Sequence, residues 1–113
     1  MQSIMKPEVD PTSLKGTVLI QIAIEYIRGL HSGKRLIVVT SLRHKLRQDK
    51  CLVTNREIVA FAKELGFLVV YPHNKAHIKV ESEIRLRDIA ERAGFSDGFY
   101  DEIDGLVTNA NTG

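Results

Sequence analysis

Residues 51–80 read CLVTNREIVAFAKELGFLVVYPHNKAHIKV, and helix start, helix stop and hairpin signals follow one another there without a gap. Thr54-Asn55-Arg56-Glu57 has capping-box spacing: the Thr54 hydroxyl can accept from the Glu57 N–H while the Glu57 carboxylate reaches back to the Thr54 N–H. Ile58, Phe61, Ala62 and Leu65 then recur at helical spacing, so they share a buried face and leave Arg56, Lys63 and Glu64 to water. Gly66 supplies a left-handed stop, and Phe67 can fold back onto the last turn. Leu68 to Tyr71 is rich in strand-forming residues and Pro72 to Lys75 is turn chemistry. Ala76 to Val80 alternates polar His77 and Lys79 with apolar Ile78 and Val80. The expectation is a helix over 55–65 and a hairpin over 67–80 with one wet, basic side.

Upstream, Asp10-Pro11 or, alternatively, Ser13 can open a helix. Ile20, Ala23, Ile24, Ile27 and Leu30 give it a buried stripe that Val18, Leu19 and Ile22 widen, making it a central core helix or one face of a homodimer. Gly29, Ser32 and Gly33 stop it, and Leu36 to Val39 reads as a strand. Thr40 or Ser41 can cap a short basic helix over 42–49 in which Leu42 and Leu46 point inward. Residues 1–9 read as a flexible arm, 10–107 as a single domain, and 108–113 as a disordered polar tail.

Charge is distributed unevenly. From Arg28 to Arg56 there are eight bases against Asp49 alone, a local balance of +7, whereas residues 57–113 sum to −4. A basic middle suggests a polyanionic partner, although solvated helix faces give the same count. Cys51 is the only cysteine, which excludes an internal disulfide and a multi-cysteine zinc site and suits an inert buried thiol. No apolar run approaches the roughly 18 residues of a membrane span, and Glu8 and Asp10 stand where a signal peptide would be apolar. A cytoplasmic protein without a membrane partner is expected.

The order helix, strand, helix, helix, strand, strand resembles the winged helix-turn-helix, an α+β fold. By that resemblance the 55–65 helix is the recognition helix, Tyr71 to Lys79 the wing, and the protein a DNA-binding transcription regulator acting as a dimer, with RNA binding or protein bridging in reserve. Arg43, Lys45, Arg47 and Lys50 would then hold the phosphate backbone. Asn55, Arg56 and Lys63 would lie nearest base edges, since Asn can pair with adenine and Arg with guanine. Lys75, His77 and Lys79 would add wing contacts. Further on, Ser82 can cap another helix, and residues 87–100 resemble the helix-turn-helix of the tetracycline-repressor family and, less closely, that of the arabinose-regulator family. Asp97, Asp101, Glu102 and Asp104 would confront phosphates there, so this segment reads as helix-turn-helix geometry used for packing or for a protein partner.

An enzyme reading begins from the same stretch. If residues 51–54 form a strand, then 51–71 is a βαβ unit, and Leu52 to Ile58 resembles the strand-to-helix corner of PIN-type ribonucleases. That family places an Asp after the Asn where Arg56 stands here, and carboxylates able to hold Mg²⁺ have no upstream counterpart. His31, His44, His73 and His77 have no metal-ligand spacing, and no cofactor motif is present. No catalytic residue, metal or cofactor is therefore assigned.

Overall fold

The computed structural model describes residues 10, 12–81, 88, 91, 94, 101–103 and 105. Helix α1, Leu14–Ser32, starts behind Ser13, whose side chain accepts from the Gly16 amide. Asp10, one of the two candidate starts, instead folds a turn ahead of the helix. Its carboxylate accepts from the Thr12 hydroxyl at 2.7 Å and the Thr12 amide at 2.8 Å. Both bonds, the hydroxyl's most, favour the charged form and hold the Asp10 carboxyl below its ordinary range.

Strand β1, Leu36–Val38, runs directly into helix α2, Val39–Gln48. The sequence places the start of α2 at Leu42 behind a Thr or Ser cap. The helix begins three residues earlier, with Val38 at the N-cap and no side-chain cap. Tertiary structure replaces the cap, because the Val39 amide donates to the Ala76 carbonyl at 3.1 Å and the Val39 side chain is buried. Helix α3, Asn55–Glu64, carries the full capping box: Glu57 N–H donates to Thr54 Oγ1 at 3.1 Å and Thr54 N–H to Glu57 Oε1 at 3.0 Å.

Strands β2, Val69–Val70, and β3, His77–Lys79, flank a tight turn over Pro72–Asn74. The sheet order is β1-β3-β2 with both pairings antiparallel, so Ile78 stands opposite Ile37 on one side and Val69 on the other. The expected hairpin is present, but its regular pairing is confined to two residues of β2. One sheet face closes over a core built from Val18, Leu19, Ile22 and Tyr26 of α1, Leu42 and Leu46 of α2, and Ile58 and Ala62 of α3. Ile103, in a helical stretch, is buried in the same cluster.

Residues 51–54 make no sheet pairing and form the turn between α2 and α3. Leu36–Val38 pairs only antiparallel with β3, so the βαβ unit that the PIN resemblance requires is not formed among the described residues. The chain reverses at Lys50, whose φ is left-handed at 62°, and Leu52 is accordingly 76% exposed where a residue of a central strand would be covered. The wide apolar face of α1 is used within the chain, since Val18, Leu19, Ile22, Ala23, Tyr26 and Ile27 are all buried there. No helix among the described residues is long and apolar enough to cross a membrane. The expected arm, the expected polar tail, the helix expected after Ser82 and the stretch 87–100, apart from isolated positions, lie outside the described residues.

Candidate nucleic-acid interface

Helix α3 packs against both α1 and α2 through Ile58, Ala62 and Leu65, which are buried. That packing turns Arg56, Ala60 and Lys63 outward, one turn apart along a single stripe, with Val59 half-buried at its margin. Glu64, at the edge of the stripe, is ion-paired to Lys15 of α1. Arg56 and Lys63 therefore stand where the sequence expects them, as exposed cations on a helix that is otherwise anchored.

The four cations of α2 and its turn do not act as one group. Arg43 and Arg47 lie one helical turn apart and flank a hollow of about 340 Å³ lined, among the described residues, by Leu52, Val53 and Thr54 as well. Lys45 points the other way and donates to Glu25 of α1 at 2.7 Å. Glu25 also takes Arg28 at 3.1 Å and is itself well covered, so it binds Lys45 into the α1–α2 contact. Lys50 is exposed and holds its backbone in the left-handed region.

Asn55 differs most from the expected base reader. It is half-buried, and its Nδ2 donates back to Thr40 Oγ1 at 3.2 Å, tying the start of α3 to the first turn of α2. Its Oδ1 is buried with no hydrogen-bond partner among the described residues. The side chain turned inward in this way ties the two helices together.

On the hairpin, Lys75 is exposed just past a turn in which His73 and Asn74 both take positive φ, 54° and 64°, and Lys75 N–H donates to the Pro72 carbonyl. Two successive left-handed residues closed by that bond form a mirror-image turn, whose twist matches that of antiparallel strands. His77 is half-buried and its Nδ1 lies 2.8 Å from the Lys75 carbonyl. Lys79 is exposed, with Glu81 at 3.9 Å. Sequence reasoning gave Tyr71 and Leu52 no site role of their own, yet both remain largely exposed; their apolar character reads as strand or core until the turns beside them are known.

Among the described residues no three His, Cys, Asp or Glu side chains gather as a metal site. The Cys51 thiol is pushed above its ordinary range, first by burial and then by the carboxylates of Asp49 and Glu57. No protein-family profile, curated protein or solved structure matches the chain.

Proposed function

We propose that this chain is a nucleic-acid-binding domain of the winged-helix type, which holds double-stranded DNA and acts as a transcription regulator. The observation that carries the reading is the outward stripe of α3, Arg56-Ala60-Lys63, on a helix whose opposite face is locked into the core. A groove-reading element must be rigid and must present donors without burying them, and this helix does both. The element order and the β1-β3-β2 sheet support the same reading, with the Lys75 turn as the wing. In this scheme Arg56 contacts a base edge, Lys63 and Lys75 contact phosphates, and Ala60 leaves room for close approach. Two copies on one duplex would present paired recognition helices to two half-sites.

The test is fluorescence anisotropy on a random-sequence duplex across a salt series. Affinity should fall linearly with salt on logarithmic axes, and Lys63→Ala combined with Lys75→Ala should flatten the slope by about one unit per lost phosphate contact. Arg56→Ala should weaken binding most on the preferred sequence. Salt-independent affinity, or parent-like binding by the Arg56→Ala and Lys63→Ala variants, would overturn the assignment.

A further inference from the structure

We infer that the hollow between α2 and the start of α3 is a docking site for an acidic, apolar peptide segment of a partner protein. Three observations converge there. The hollow is of side-chain size, about 340 Å³, with Leu52 and Val53 in its wall and Thr54 at its α3 end. Leu52 leaves 76% of its surface in water. Arg43 and Arg47 flank it, and neither has a carboxylate partner among the described residues, whereas Lys15, Arg28, Lys45 and Lys79 are all matched with one. Among the described residues the pair makes one side-chain hydrogen bond, between Arg43 Nη2 and His44 Nε2, at 3.5 Å.

Charge complementarity selects the occupant. A guanidinium presents a fork that matches a carboxylate, and two of them one turn apart can hold two acidic side chains or one bidentately. An apolar side chain between those acids would cover Leu52, which phosphates alone would leave wet. The sequence separation of the parts, from Arg43 to Thr54, is closed by the Lys50 reversal, whose amide donates to the Arg47 carbonyl at 2.9 Å and fixes where Leu52 emerges. This site goes beyond the DNA reading and uses neither Arg56, Lys63 nor Lys75, so either proposal can fail without the other.

The experiment is an amide NMR titration of the full chain with a short, end-capped peptide alternating Asp and Leu, beside the same peptide with Asn for Asp and a random-sequence duplex DNA. The Asp/Leu peptide should shift the amides of Arg43, Arg47, Leu52, Val53 and Thr54. Arg43→Gln with Arg47→Gln should weaken it about tenfold, and so should the Asn peptide on the parent. Leu52→Ser should also weaken it, with the remaining spectrum unchanged as a check on folding. The proposal is overturned if the shifts map elsewhere, if the Asn peptide or the double variant binds equally well, or if DNA shifts the same amides and displaces the peptide. That last result would assign the hollow to the nucleic-acid surface.

Discussion

The hydroxyl of Tyr26 donates to the Glu81 carbonyl at 2.6 Å and accepts from the Glu81 amide at 2.7 Å, joining the middle of α1 to the chain leaving β3. Tyr26 is fully buried, and its ring lies 5.0 Å from that of Phe67, just past the stop of α3. One side chain thus ties the first helix to both ends of the hairpin. Tyr26→Phe keeps the ring contact and strands two backbone groups in a partly covered site. The expected loss is about 1–3 kcal/mol, the cost of leaving such groups unpaired. A thermal melt measures it, and faster hydrogen exchange at Glu81 with little change in α2 would localise it.

Lys50 is the odd member of a set of three. Helices α1, α2 and α3 all close with an amide donating five residues back, Lys34 to Gly29, Cys51 to Leu46 and Phe67 to Ala62. The left-handed residue in each is Gly33, Lys50 and Gly66, with φ of 74°, 62° and 87°. A lysine there meets the steric penalty that glycine avoids. Lys50→Gly should therefore raise stability by about 1 kcal/mol despite the looser unfolded chain. If Lys50 also holds a phosphate, the same variant binds duplex DNA more weakly while melting later, and the two effects are read from one preparation.

Helices α1 and α3 are legible because their signals are local. Thr54 and Glu57 cap one another, and Gly33 and Gly66 stop their helices by conformation alone. The start of α2 was not legible, since its cap is the Ala76 carbonyl, which lies far along the chain and is brought close only by the sheet. The same distinction governs the candidate site. Exposure of Arg56 and Lys63 follows from helical periodicity within α3. The division of α2 between Lys45, held by Glu25, and the Arg43–Arg47 pair depends on which neighbour covers each side of the helix. Asn55 illustrates the limit: its type suits adenine, but its amide nitrogen donates to Thr40, a partner fifteen residues back that the sequence does not announce. Pairing Lys45→Glu with Arg47→Glu would accordingly mix a like-charge clash at Glu25 with the loss of a surface cation.

Cys51 offers a pH-dependent readout. Its folded thiol titrates above the ordinary value of 9.0, because burial and two nearby carboxylates disfavour the thiolate. Since the folded pKa is the higher one, this contribution to stability is complete below the unfolded thiol's pKa and is lost as pH rises through the folded value. Alkylation by iodoacetamide near pH 8 should be slower in the native chain than in the unfolded one, with the native rate still climbing where the unfolded rate has levelled. Cys51→Ser should remove the thiol's share of the alkaline loss of stability, measured by chemical denaturation on either side of pH 9.

The hairpin separates stability from binding at adjacent positions. Ile78 is fully buried at the centre of the three-stranded sheet, paired with Ile37 and Val69. Truncation to alanine removes three carbons from a position where strands on both sides restrict collapse, so Ile78→Ala should cost about 2–5 kcal/mol. Lys75 stands outside that sheet, exposed after the mirror-image turn, and makes no ion pair among the described residues. Lys75→Ala should change stability by no more than about 0.5 kcal/mol, as exposed positions do. On the DNA reading it should still weaken binding evenly across sequences and reduce the salt slope by about one unit. Melts and salt-dependent anisotropy on the two variants decide the matter. If Lys75→Ala melts early but binds like the parent, the turn is structural and the wing assignment is lost; if it melts normally and binds weakly, the turn meets the phosphates directly.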